Sequence, residues 1–305
     1  MTETNNSSNV APTPSDGKTG DTHLDLPPGE PLGIGSLGEV LRRVPARVIV
    51  IGGTLQSGKT TLIASIYERF RLGPFAGMNF AGSRTLMGFE IICHLGRLQS
   101  GRETPETDRT SRASGWQVFH LSVADLHHRR DLLLADMSGE AYESVRDFGE
   151  ASSEMGLVQR ADHLVLLLDG AKLSDVRERQ SVYDDSHTIL KRLVESRQLL
   201  PGTLVTVAFS KWDVVELQEN QANAIPFCKH VETRMRDSFQ ETLKDLHFAR
   251  VIARDQRAGG KPATKGVDDL FRGWCVKERV IAARGADDTL LCRRWIDKYG
   301  WTATA

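Results

Sequence analysis

The feature that most restricts the fold is a glycine-bearing turn, Gly53-Thr54-Leu55-Gln56-Ser57-Gly58-Lys59-Thr60, set between segments of different periodicity. Before it, residues 47–53 read RVIVIGG, a short β-branched run. After it, Leu62, Ile63, Ile66 and Phe70 recur three or four apart and line one helical face. Strand, turn and helix in this order fit G-x-x-x-x-G-K-[ST] at each fixed position. The glycines let the backbone wrap an anion, so that successive N–H groups and the helix N-terminus face it. Lys59 then reaches the β and γ phosphates of a nucleotide, and the Thr60 hydroxyl ligates Mg²⁺. Thr61, next along the helix, belongs to the same binding turn.

The remaining chain alternates apolar runs with amphipathic stretches. WQVFHLSV (116–123) alternates, and the polar turn ADLHHRR joins it to DLLLADMSGE. The spacing predicts an antiparallel hairpin with an exposed first strand, on which His120 faces solvent, and a buried second strand. HLVLLLDG (163–170) and TLVTVAF (203–209) are continuous apolar runs, as expected of inner strands covered on both faces. Cys228, Val231, Met235, Phe239, Leu243 and Leu246 predict a helix leading into a last strand, FARVIARD (248–255). The expected architecture is α/β, a three-layer P-loop NTPase fold whose mostly parallel sheet carries one antiparallel edge strand. Residues 1–43, rich in Asn, Ser, Thr, Pro and Gly, are expected to form a disordered tail. The main domain is expected over 44–283, and 284–305 is read as a C-terminal helical extension. Trp274 with Leu270 and Phe271, and Leu291 with Trp295, read as helical packing faces. Gly259-Gly260 with Lys261 and Pro262 reads as a mobile loop.

Composition excludes several functions. A formal net charge of -1 over 305 residues gives nucleic acid no general attraction, so none is expected as a partner. Cys93, Cys228, Cys275 and Cys292 lack Cys-x-x-Cys spacing and read as reduced thiols rather than a zinc site or a disulfide framework. No apolar run approaches the ~20 residues that span a bilayer, and the N-terminus lacks a basic start followed by a hydrophobic stretch. A cytoplasmic location without integral membrane association is expected.

Two further motifs refine the chemistry. Asp136-Met137-Ser138-Gly139-Glu140 puts a carboxylate at the end of an apolar strand, where P-loop proteins hold Mg²⁺. Asp-x-x-Gly is the switch II pattern of GTPases, in which the glycine N–H, here that of Gly139, bonds the γ-phosphate. Ser210-Lys211-Trp212-Asp213 follows an inner strand and resembles the [NT]-K-x-D element of Ras-like (TRAFAC-class) GTPases. By that resemblance Asp213 accepts hydrogen bonds from guanine N1–H and the 2-amino group, a pair adenine cannot offer. Lys211 lays its methylene stem along the base. Ser210 stands in the Asn or Thr place, and its shorter hydroxyl weakens the brace between this turn and the P-loop.

The order of motifs resembles that class over roughly residues 45–280. The strings GGTLQSGKTTLIASIYERF, FAGSRTLMGFE, PETDRT and LLLADMSGE are most similar to the prokaryotic double-GTPase (DO-GTPase) proteins of conflict and defence systems. The resemblance implies a GTP/GDP-binding switch with slow Mg²⁺-dependent hydrolysis, working with a protein partner or effector encoded nearby or through a G-domain dimer. It departs from minimal GTPases in three ways. Leu55 and Gln56 crowd the space beside the γ-phosphate, Glu140 stands where a water-positioning Gln often occurs, and the segment around switch I is enlarged. Distance along the chain assigns the switch I Thr to Thr110, with Thr107 as second choice and Thr85 a further candidate. Arg109 or Arg112 is a candidate internal arginine finger. Lys59, Glu140, Thr110 and Arg109 are therefore the expected catalytic set, and Thr60, Asp136 and Thr110 the metal set. A backbone N–H near Ala253 is expected to meet guanine O6. A non-hydrolysing, nucleotide-dependent scaffold and an ATPase or small-molecule P-loop kinase remain alternatives.

Overall fold

The two longest apolar runs become neighbouring inner strands, because residues with no polar alternation need cover on both faces. The computed structural model describes residues 29–96, 116–148, 156–200, 202–244, 246–255, 261–262 and 265–276. Its strands are β1 (Ala46–Gly53), β2 (Asn79–Gly82), β3 (Trp116–Ala124), β4 (Arg129–Met137), β5 (His163–Asp169), β6 (Leu204–Ser210), β7 (Leu246–Arg250) and a small pair, β8 (Arg254–Asp255) and β9 (Lys261–Pro262). Seven of them form one sheet in the order β2-β3-β4-β1-β5-β6-β7. β4, β1, β5, β6 and β7 run parallel, whereas β3 is antiparallel to both β4 and β2.

Helices cover both faces. On one lie α2 (Lys59–Leu72), α3 (Leu86–Leu95) and α10 (Val267–Val276), which enclose Ile49, Ile51, Phe70, Phe89, Phe119, Phe271 and Trp274. On the other, α1 (Ile34–Arg43), α4 (Gly139–Phe148), α5 (Gly156–Arg160), α6 (Gly170–Ser174), α7 (Arg179–Glu195), α8 (Trp212–Val215) and α9 (Gln218–Phe239) bury Val48, Val50, Leu166, Phe209, Cys228 and Met235. Alternate residues of β1 thus feed opposite layers, and burying each large aliphatic chain contributes about 1.5–3 kcal/mol.

The structure differs from the sequence expectations in four places. Residues 34–43 are helical, not a tail, since Leu37 and Val40 pack into the core; residues 1–28 lie outside the described residues. The antiparallel strand β3 is not the edge. β2 pairs with its outer side, an isolated bridge joins Leu32 to Val118 further along, and α3 covers its face. His120 is buried at 4% exposure rather than solvent-facing, because residues 83–85 close over it from the outer side of the strand. The helix beginning before Cys228 ends at Phe239, so Leu243 sits in the following turn and Leu246 opens β7. The proposed extension 284–305, with Leu291, Cys292 and Trp295, and the Gly259-Gly260 pair also lie outside the described residues, while Lys261 and Pro262 form β9.

His120 has a complete set of partners. The Arg84 amide donates to Nδ1 at 3.0 Å, so the proton resides on Nε2, which faces Asp131 Oδ1 at 3.0 Å. Thr85 Oγ1 accepts from the His120 amide and Ser83 Oγ donates to its carbonyl, so the loop before α3 closes around the ring. Burial holds the imidazole below its ordinary pKa of 6.5 despite the nearby Asp131 carboxylate.

Candidate functional site

β1, β4, β5 and β6 all end at one edge of the sheet; after β1 the chain leaves for the β2–β4 side of the sheet, and after β5 for the β6–β7 side. That divergence makes the crevice outside their carboxyl ends a topological switch point, where open α/β sheets bind ligands.

The phosphate turn is built from backbone. Gly53 takes φ +154°, and a Cβ there would lie 2.6 Å from Ser57 Oγ and 2.7 Å from the Leu167 carbonyl. Gly58 is left-handed at φ +93° and opens α2, directing the first amides of that helix to the turn. Gln56 is also left-handed, at φ +62°. Lys59 is buried and donates to the carbonyls of Gly53 at 2.9 Å and Thr54 at 3.0 Å. Burial lowers its pKa, an effect opposed by the carboxylates of Asp136 and Glu143. The Ser57 and Thr54 hydroxyls are buried without a hydrogen-bond partner among the described residues, polar atoms at the lining of an anion cradle. Thr61 lies in the first turn of α2, partly buried.

Asp136 is fully buried at the end of β4, level with Ile51 of β1. Thr60 Oγ1 donates to its Oδ2 at 2.5 Å, which joins two of the three expected metal ligands as a pair of oxygen donors suited to a hard cation. Gly139 starts α4 against the phosphate turn, where a Cβ would come within 3.2 Å of Leu55 Cα. Glu140 is the second residue of α4, and its side chain lies outside the described residues. Thr107, Arg109, Thr110 and Arg112 all fall in 97–115, also outside them. Thr85 serves another purpose, holding His120 opposite Leu133, well down the sheet from Asp136.

The Ser210-Lys211-Trp212-Asp213 turn lies at the same edge. β1 and β6 flank β5, so their ends are two strand spacings, about 10 Å, apart. Lys211 adopts φ +48°, and Asp213 in the first turn of α8 is buried at 5% exposure. The Trp212 amide donates to the Val251 carbonyl at 3.2 Å, fixing this turn to the segment that carries Ala253. The Ser210 hydroxyl donates to the Leu168 carbonyl at 3.1 Å, so the brace runs to β5 and not to the phosphate turn. Beyond Ala253, Arg254 Nη2 donates to Glu68 Oε2 of α2 at 2.5 Å, with both side chains less than a tenth exposed.

A nucleotide laid across this edge would thus meet a phosphate cradle at one end and a buried carboxylate at the other. The Double-GTPase 2 family model matches residues 47–275, from the first strand to the last described helix. The chain belongs to this double-GTPase family. Guanine-nucleotide binding at the P-loop fold follows from that membership. Among solved structures, this double-GTPase is similar to a chain of the signal recognition particle receptor SRb-GTP/SRX complex from Chaetomium thermophilum, at 14% identity and a TM-score of 0.39, over 74% of this chain and 96% of that one. No curated protein matches it. No helix among the described residues is long and apolar enough to cross a membrane.

Sequence reasoning missed Asp169, Gly170, Glu68 and Arg254 as contributors to the site. A signal existed for the first pair: an apolar inner run that stops on Asp-Gly at a carboxyl end.

Proposed function

We propose that this double-GTPase is a GTP-binding switch that hydrolyses GTP slowly with Mg²⁺ and acts with protein partners, in bacterial defence. The observation that carries the reading is the Thr60–Asp136 pair beside the Lys59 cradle, on the same sheet edge as Asp213. Thr60 and Asp136 would hold the ion, which when bound supplies charge compensation to the phosphate oxygens. The Lys59 ammonium offsets negative charge on the β and γ phosphates as it builds during in-line attack by water. The Gly139 amide, close to Leu55, senses the γ-phosphate, and its release lets α4 move. Leu55 fills space beside that phosphate, which supports slow turnover in the isolated chain and a contribution from a partner or a second G domain.

The Leu55 contact with Gly139 also favours a second reading, a scaffold that binds nucleotide without hydrolysing it. Phosphate release from GTP, measured with and without proteins encoded beside this chain, separates the two. Turnover that rises with a partner and disappears in Lys59→Ala supports the switch; none under any condition supports the scaffold.

A further inference from the structure

The base-reading turn owes its position to β5. Lys211 Nζ lies 2.7 Å from Asp169 Oδ2, and the Asp169 side chain is 2% exposed against 33% for Lys211. The other carboxylate oxygen of Asp169 accepts from the Ala171 amide at 3.0 Å, so the group that holds the lysine is itself fixed by the start of α6. One residue earlier, the Leu168 carbonyl receives the Ser210 hydroxyl. One residue later, Gly170 leaves room for the turn. A Cβ there would run into the Ser210 carbonyl and come within 3.0 Å of the Lys211 carbonyl and 2.9 Å of Val215 Cγ2. Three consecutive residues, Leu168, Asp169 and Gly170, thus grip Ser210 and Lys211 by a carbonyl, a carboxylate and a missing side chain.

We infer that Asp169 and Gly170 are positioning residues for purine selection: they clamp the Ser210–Asp213 turn so that the Lys211 stem and the Asp213 carboxylate present one fixed surface to guanine. The inference rests on the guanine-binding reading of that turn. Lys211 takes a left-handed backbone, which few residues other than glycine adopt and which an external anchor must stabilise. The Asp169 carboxylate supplies this anchor through the ammonium, and leaves the methylene stem stretched between the backbone of the turn and β5. Because the grip is on β5, it operates without help from the phosphate turn, and the short Ser210 hydroxyl is sufficient.

The test compares GTP and ATP affinities of the full chain, measured by competition against a fluorescent guanine nucleotide, with thermal melting as a check on folding. Asp169→Asn keeps the shape and the Ala171 contact but loses the charge. It is expected to weaken GTP by about tenfold, the scale of one charge-assisted hydrogen bond, and to leave ATP unchanged. Lys211→Met keeps the stem and should give the same selective loss. The double variant should be no worse than either single one, because both remove one contact. A wild-type GTP preference that survives in both Asp169→Asn and Lys211→Met overturns the clamp while leaving the guanine reading intact. Equal wild-type affinity for GTP and ATP overturns that reading itself, and the clamp with it. Should Asp169→Asn fail to fold, Lys211→Met decides alone, since its ammonium is the more exposed partner. Gly170→Ala is expected to lose GTP selectivity as well, through displacement of the turn.

Discussion

The two ends of the nucleotide crevice are built differently. The phosphate end is made of main chain, with glycines at φ +154° and +93°, a helix start, and a lysine folded onto two carbonyls of its own turn. The base end is held from outside, chiefly through side chains: the Ser210 hydroxyl on Leu168 and the Lys211 ammonium on Asp169, with the Trp212 amide on Val251. A backbone cradle tolerates few substitutions, because each fixed position satisfies a conformational or steric demand. A clamp of side chains leaves more freedom at each position, provided the partner changes with it. The departure from the Asn or Thr pattern accordingly occurs at the base end, while the phosphate turn keeps every fixed residue.

Experiments can break this contrast, beginning with the largest effect. Lys59→Ala removes the cradle's buried cation and is expected to abolish binding of GTP and ATP alike, a loss on the order of a thousandfold for a cation in contact with two phosphates. Unchanged affinity in a competition assay would refute its role at the phosphate end. Asp213→Ala should weaken GTP by roughly a hundredfold, the scale of two hydrogen bonds to a charged acceptor, with ATP little altered. An equal loss for both nucleotides would mean that the carboxylate supports the fold rather than the base. Thr60→Ala should reduce the Mg²⁺-dependent part of binding by about tenfold and spare the metal-free part, as titration with and without a chelator would reveal.

The smallest effect lies away from both ends. His120 titrates below 6.5 in the folded chain, facing Asp131, Arg84 and Arg129. The unfolded chain therefore takes up a proton that the folded one refuses, so the stability it provides is complete above pH 6.5 and declines as pH falls through and below that value. Melting curves of wild type and His120→Gln should diverge in slope over this acid window and run parallel above neutrality. Parallel curves throughout would show that the ring does not resist protonation. Cys228 and Cys275, pushed up by burial to about 12 and about 11, are expected to stay unmodified by alkylating reagents until the chain unfolds.

The sequence revealed the parts whose residues announce their own conformation. Continuous apolar runs gave β5 and β6, and the glycine turn with its helix gave the phosphate end. It concealed the parts defined by what they lie against. β2 has four residues, none of them buried, and becomes a strand only because the outer side of β3 is free to pair. The α1 segment reads as polar until Leu37 and Val40 find the core. His120 looked exposed by alternation, since its cover comes from Ser83, Arg84 and Thr85, which nothing in the pattern of the strand itself announces. At the site the same rule holds: Asp136 and Lys59 were legible from motif spacing, whereas Asp169 gained meaning only when β5 and β6 lay side by side.

Arg254 follows directly on the Ala253 segment, and its guanidinium is sunk into helix α2 at Glu68, the helix whose first residues form the phosphate turn. Separate handles on the two halves of the ligand therefore exist at Lys59 and at Asp213, but not here. A lesion at this rivet is therefore transmitted in both directions, to the helix that opens on the phosphate turn and to the segment that carries Ala253.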